Sequence, residues 1–231
     1  MDRDEGLRIL TERGWLNRTP PEFRQALLPA CRWYHLEPGA MVQAGDEAVG
    51  ELIGLASGCL EMRTTLGPSD TPVMHLEHPV FWIGYGPILA GQPRNVAATA
   101  RTHVSLASVP HATVMRMLEE RPDWWRHLLP LAWAYGDTVV AAAADLVIRS
   151  SERRCAAVLL RLSGLRTAGS DDLERHPVPL SQDELAAAAN MSRNTAGTAL
   201  RKLKAGGMVE IGYRGVVVRD PVALRRFVDA G

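Results

Sequence analysis

Residues 180–204 read LSQDELAAAANMSRNTAGTALRKLK, and this pattern is that of two short helices joined by a tight turn. Ser181 followed three residues later by Glu184 is a capping box: the serine hydroxyl accepts from an amide of the first turn and the glutamate reaches back. Leu185, Ala186, Ala188 and Ala189 are small or apolar and let this helix pack closely. Asn190-Met191-Ser192 breaks it, and Ser192 caps the next helix. In that second helix Ala196, Ala199, Leu200 and Leu203 fall at i, i+3, i+4 and i+7, a single apolar face that leaves Arg193, Asn194, Thr198 and Arg201 on the other. The arrangement predicts a helix-turn-helix whose second helix enters a DNA groove.

Charge points the same way. The chain's only two lysines are Lys202 and Lys204, and no acidic residue lies between Leu185 and Val209, where Arg193, Arg201, Lys202 and Lys204 add four positive charges. A phosphate backbone favours such a face; the competing reading is a solvated helix whose cations only confer solubility. Gly206-Gly207 then ends the helix. The β-prone runs Met208 to Ile211 and Val216 to Val218, with a turn at Tyr213-Arg214-Gly215, predict a two-stranded wing that brings Arg214 and Arg219 toward the sugar-phosphate backbone.

Whole-chain charge hides this basic module. The 231 residues carry no net charge, yet residues 1–150 hold 13 basic and 17 acidic side chains, whereas 151–231 hold 13 basic and 9 acidic. The asymmetry fits one domain for nucleic acid and another for a separate task. Cys31, Cys59 and Cys155 are odd in number and far apart, which suits reduced cytosolic thiols rather than a zinc site, an iron-sulfur cluster or a redox dithiol. MDRDEGLRIL at the N-terminus lacks the apolar core of a secretion signal. The most apolar stretch, Leu128 to Ile148, contains Pro130, Asp137 and Asp145, so neither a membrane segment nor a membrane partner is expected and the location read is cytoplasmic. The chain contains no GxxxxGK, HExxH or GxSxG, so no catalytic residue and no metal site is assigned and an enzyme is not expected.

Ahead of the basic module, Thr19-Pro20-Pro21-Glu22 predicts a helix capped by Thr19 and running to about Leu28. From Arg32 to Pro110 glycines recur between short runs such as Glu51 to Ala56, Cys59 to Thr64 and Val104 to Val109, which predicts a small barrel or roll. Ala112 to Glu120 is helical in pattern, and a longer helix follows from Pro122 to about Arg149. Along it Leu128, Ala132, Tyr135, Val139, Ala142 and Leu146 are spaced 4, 3, 4, 3, 4, a heptad seam. Two readings of the seam stand: a two-helix dimer contact, which the length of the stripe favours, or packing on the roll of the same chain. Ser150-Ser151-Glu152 is the expected hinge, Arg153 to Leu162 the next helix, and Arg166 to His176 a loop.

These parts in this order resemble the cyclic-AMP receptor protein and fumarate-nitrate regulator (Crp/Fnr) superfamily of bacterial transcription regulators. The resemblance covers nearly the whole chain and is carried by Glu37-Pro38-Gly39, Gly45-Asp46, Leu55-Ala56-Ser57-Gly58, Ile83-Gly84, Arg94, LSQDELA and SRNTAGTALRKL. It implies an α+β fold: an N-terminal β-roll of the cyclic-nucleotide-binding type (residues 1–121), a long dimerisation helix with hinge (122–150) and a C-terminal winged helix-turn-helix (151–231). Gln182 and Ser192 match phosphate-contacting positions and Arg193 a guanine reader, and Asn194, Thr195, Thr198, Arg201, Lys202, Lys204 and Arg214 complete the expected DNA contacts. Asn194 stands where the family often has glutamate, and Thr198 where some members have arginine. The implied target therefore differs from the best-known family sites, since asparagine can pair with adenine.

The implied effector pocket comprises Gly84, Tyr85, Arg94, Asn95 and Val139. Members that bind cyclic nucleotide carry a glycine-glutamate pair for the ribose and an arginine-serine pair for the phosphate. Here these are Gly84-Tyr85 and Arg94-Asn95, and the threonine-serine pair that meets the base aligns with Val139-Val140. Loss of the ribose acceptor and both base-contacting hydroxyls argues against cyclic AMP, with unmatched polar groups costing about 1–3 kcal/mol each. Arg94 holds another anion or pairs with an acidic neighbour. The N-terminal cysteine cluster of iron-sulfur members is absent from residues 1–30, and haem would need His75 or His78, which a strand points to opposite faces. The implied function is a dimeric, sequence-specific regulator on an inverted-repeat operator, with RNA polymerase and a small-molecule effector as further partners. Alternatives are a ligand-binding or haem-sensing regulator and a DNA-binding protein that needs no ligand.

Overall fold

The computed structural model of the chain describes residues 1–42, 50–66, 71–93, 95–166, 175–213 and 215–230. Two compact units emerge: Met1–Ser69 with Glu77–Gly136, and Asp70–Leu76 with Asp137–Gly231.

The first unit opens with α1 (Arg3–Glu12), α2 (Gly14–Asn17) and α3 (Pro21–Leu27). Asp2 caps α1, its carboxylate accepting from the Glu5 amide at 2.9 Å. The sequence pattern does not announce α1, because only Gly6 and Leu10 of its ten residues are buried and two apolar positions make no legible stripe. Thr19 does not cap α3. Its hydroxyl donates to the Leu16 carbonyl at 2.7 Å, closing the preceding turn, and α3 begins from Pro20 without a side-chain acceptor.

The roll follows: β1 (Arg32–Leu36), β2 (Glu51–Ser57), β3 (Leu60–Thr64), β4 (His75–Glu77), β5 (Phe81–Ile83), the short helix α4 (Tyr85–Ala90), β6 (Val96–Ala100) and β7 (Val104–Pro110). One sheet runs β1-β7-β2-β5 and a second β4-β3-β6. Ile53, Leu55, Leu60, Met62, Ala98 and Leu106 fill the space inside the roll. A second cluster joins Leu10, Leu16, Phe23, Leu52, Trp82 and Leu118 against the outer helices. Its centre is aromatic: Trp15 meets Trp82 edge-on at 5.3 Å and Phe23 at 5.8 Å between ring centroids, a geometry favoured by the ring quadrupoles. Gly54 permits it, since a Cβ there would lie 2.8 Å from the Trp82 ring. After β7 come α5 (His111–Glu120) and α6 (Trp125–Leu146), and the unit boundary falls inside α6.

In the second unit Ser150 caps α7 (Ser151–Leu162), which is buried on every side from Cys155 to Leu162. Then follow α8 (Gln182–Ala188), α9 (Arg193–Ala205), the hairpin β8 (Val209–Gly212) and β9 (Gly215–Val218), and α10 (Pro221–Asp229). Most of the expected loop from Arg166 to His176, with Gly45-Asp46, Arg94 and Arg214, lies outside the described residues. Among the described residues no helix is long and apolar enough to cross a membrane.

Candidate nucleic-acid interface and effector cavity

The helix-turn-helix forms from local chemistry. Both halves of the capping box are made: Glu184 N–H donates to Ser181 Oγ at 3.2 Å, and Ser181 N–H to Glu184 Oε2 at 2.8 Å. Asn190 takes φ 47° at the turn, a left-handed conformation that asparagine tolerates. Ser192 caps α9 by accepting from the Thr195 amide at 3.2 Å, and the two hydroxyls lie 2.8 Å apart. Ala196, Ala199, Leu200 and Leu203 are buried, while Ser192, Arg193, Asn194, Thr198, Arg201 and Lys204 are exposed. Gln182 is exposed on α8 and reaches across to α9: a methyl group on Gly197 would lie 3.3 Å from its Oε1 and 3.6 Å from Arg201 Nη1. That glycine, unremarked in the sequence pattern, keeps the room for both side chains.

Not every cation of the module faces outward to a ligand. Lys202 pairs with Glu152 of α7 and stands over the Phe227 ring at 5.9 Å. Its ammonium thus has two partners within its own unit while the side chain stays exposed. Arg193 pairs with Asp183 at 3.4 Å, both exposed; the acid comes from α8, just beyond the acid-free window. Arg219 is held by Glu210 across the wing at 2.7 Å. On α7, Arg153 donates to the Val228 carbonyl at 2.8 Å, Arg154 to Ala189 O at 2.7 Å and Ile148 O at 2.6 Å, and Arg161 to Met74 O at 2.6 Å. These arginines close helix ends and loops, so the basic surplus of residues 151–231 is partly structural.

In the roll a cavity of about 240 Å³ lies between Met62, Phe81, Ile83, the start of α4, Gln92, Pro93, Asn95, Val96 and Tyr135. Gly84 supplies the entry to α4 with φ 90°, a conformation glycine adopts without a Cβ penalty. Gly84, Tyr85 and Asn95 are on the wall. Val139 is not. Tyr135, one turn earlier on α6, is the helix residue that reaches it. Burial and the neighbouring Glu77 push the Tyr85 and Tyr135 hydroxyls above the usual phenol range. Glu77, fully enclosed, is pushed well above the usual carboxylate range by burial.

The exposed apolar stripe of α6 lies one residue on from the expected seam. Leu128 is fully buried in the core of the first unit, and Tyr135 is given to the cavity. Ala132 and Ala142 are half-buried, and Val139 and Leu146 stand beside the stripe rather than on it. Leu129, Trp133, Val140 and Val147 are 57%, 75%, 69% and 79% exposed, and with exposed Gly136 and Ala143 they repeat at 4, 3, 4, 3, 4. The first half of the predicted stripe thus packs within its own chain, and the neighbouring stripe is open.

Comparison with known proteins bears on the whole chain. Residues 153–227 match the Crp-like helix-turn-helix domain, and no curated protein matches the chain by sequence. Among solved structures, a cyclic-nucleotide-binding-type protein of Ruegeria pomeroyi is similar over all of both chains (TM-score 0.65, 19% identity). FixK2 of Bradyrhizobium japonicum is similar over 85% of this chain and 96% of its own (0.67, 16%). CLP, the c-di-GMP responsive global regulator of Xanthomonas campestris, is similar over 86% and 99% (0.61, 19%). The chain has the Crp/Fnr architecture. Its second unit carries a Crp-like helix-turn-helix domain over residues 153–227, and the whole chain shares the fold of these three proteins.

Tyr85, expected from the resemblance to stand where a ribose acceptor would be, is on the cavity wall, and no charged side chain lines the cavity among the described residues. A haem would need an axial donor. His75 is buried in β4 and His78 is half-buried just beyond it, and neither is on the cavity wall. Among the described residues no group of three or more His, Cys, Asp or Glu is placed to hold a metal. Cys31 is pushed up to about 11, and Cys59 and Cys155 to about 12, each mainly by burial, which leaves unreactive thiols.

Proposed function

We propose that this Crp/Fnr-type chain is a dimeric, sequence-specific regulator of transcription, cytoplasmic, acting by binding rather than catalysis. Its β-roll senses a small effector other than cyclic AMP, and RNA polymerase is a further partner. The observation that carries the reading is α9: one face locked into the domain by Ala196, Ala199, Leu200 and Leu203, the other presenting Arg193, Asn194, Thr198, Arg201 and Lys204 to solvent. In this reading Gln182 of α8, with Ser192 and Thr195 at the N-terminal end of α9, meets phosphate, where unpaired helix amides favour anions, and Arg193 and Asn194 meet base edges. Arg214 in the wing and Arg94 in the roll belong to the same reading by position in the sequence. The open stripe Leu129, Trp133, Val140 and Val147 supports pairing through α6. A pair would set two recognition helices about one turn of DNA, roughly 34–36 Å, apart.

The test is selection from random duplexes with the full chain. An inverted repeat is the expected product, bound less tightly as salt rises; recovery of no palindromic site, with or without cell extract supplying an effector, would overturn the reading.

A further inference from the structure

We propose that Arg201 reads a guanine in each half-site and that Thr198 is the residue that positions it. This rests on the reading of α9 as a recognition helix and assigns one of its contacts. The buried side chains Ala196, Ala199, Leu200 and Leu203 fix which way the helix faces. Counted at about 100° per residue, Asn194 and Arg201 lie within about 30° of the direction opposite those four, whereas Lys202 stands about 70° to one side and Lys204 about 90° to the other. In a helix lying in the major groove the central direction faces the base edges and the flanks face the phosphate walls.

The Arg201 side chain is folded back along α9 toward the N-terminal end of the helix. Its Nη2 donates to Thr198 Oγ1 at 2.9 Å, and Thr198 Oγ1 donates in turn to the Asn194 carbonyl at 3.0 Å. A hydroxyl has one proton, so the carbonyl takes it and the lone pairs are left to the guanidinium. Nη1 lies over Gly197, 3.6 Å from where a Cβ would stand. Arg193 and Lys202 are each met by a carboxylate. Arg201 is met by a neutral hydroxyl of its own helix, which orders the fork without cancelling its charge. A guanidinium held this way keeps donors for O6 and N7 of guanine and loses less rotamer freedom on binding than an unsupported one.

The test uses the full chain and the inverted repeat it selects from random duplexes, with affinity measured by gel shift for all four bases at each half-site position. Arg201→Ala is expected to lower affinity for the selected site about tenfold or more and to abolish the preference for guanine at one symmetry-related pair of positions, leaving the other preferences intact. Thr198→Val, which removes the hydroxyl, is expected to weaken the same guanine preference about threefold or more, and Thr198→Ser to keep it. In the Arg201→Ala background Thr198→Val is expected to add less than about twofold, because it acts through that side chain. Both positions are exposed, so melting temperatures close to the parent's are expected. The proposal is overturned if Arg201→Ala changes nothing, or if it weakens every sequence equally and lowers the salt slope by about one, as loss of a phosphate contact does. It is also overturned if Thr198→Val leaves the guanine preference unchanged, flattens a different position, or has its full effect without Arg201. These outcomes leave the regulator intact; a parent that selects no inverted repeat overturns that reading and this one together.

Discussion

Arg161 Nε and Asp145 Oδ2 lie 2.9 Å apart with the carboxylate fully buried and the guanidinium 4% exposed. The same guanidinium donates to the Met74 carbonyl at 2.6 Å, and Arg166 approaches the other carboxylate oxygen at 3.3 Å. Three segments of the second unit, residues 71–76, the end of α6 and α7, thus meet at one buried charge pair. Removing one partner of such a pair strands the other without water. Asp145→Ala is expected to destabilise the second unit by about 3–5 kcal/mol, and Asp145→Leu with Arg161→Met to recover more than half of that. Thermal denaturation measures both; a loss under about 1 kcal/mol for the single variant would show that solvent reaches the site.

Leu128 and Leu129 separate folding from assembly. Leu128→Ala leaves a hole in a packed core and is expected to cost about 2–5 kcal/mol with the monomer–dimer equilibrium little altered among folded molecules. Leu129→Glu and Val140→Glu place charges on the open stripe and are expected to yield folded monomers. Sedimentation velocity distinguishes the two, and a dimer that survives both glutamates would remove α6 as the seam.

Glu77 predicts a pH dependence. Burial raises its folded-state pKa above the ordinary 4.5, so the folded protein holds the proton more tightly than the unfolded chain. Its contribution to stability is therefore greatest below about pH 4.5 and declines as pH rises toward the folded value. Glu77→Gln keeps the shape and removes the titration. The variant's melting temperature should exceed that of the parent by more at pH 8 than at pH 4.5; an equal difference at both would sink the assignment.

The cations of α9 should act unequally on DNA. Lys204, exposed and without an ion-pair partner among the described residues, is expected on alanine substitution to weaken all sequences similarly and to lower the salt slope by about one. Arg193→Ala should relax specificity and cost about 1–3 kcal/mol on the selected site. Lys202→Ala, whose ammonium is engaged by Glu152, should leave the salt slope nearly unchanged. Gel shifts at several salt concentrations read all three.

How much of this was legible in the residues depends on range. The capping box at Ser181 and Glu184, the turn at Asn190 and the apolar face of α9 are made by residues at most a few positions apart, and the pattern names them correctly. Thr19 shows the limit of the same logic, since its hydroxyl has two nearby carbonyl and amide choices and takes the Leu16 carbonyl. Charge counting fails for a different reason. It sees that residues 185–209 lack acids, but Asp183 and Glu152 are brought to Arg193 and Lys202 by the packing of α8 and α7 on α9.

The sequence by itself determined that a helix-turn-helix stands behind a glycine-punctuated roll and a long apolar helix, because those features are written in periodicity and capping over spans of one or two dozen residues. Only the tertiary structure decided which stripe of α6 is open. Adjacent positions on a helix differ by about 100°, and a seam at Leu128 and one at Leu129 have nearly the same hydrophobic pattern. Packing of Leu128 into the core and of Tyr135 against the cavity chooses between them. The wall of that cavity is likewise assembled from strands and helices distant in sequence, where no local pattern can record it.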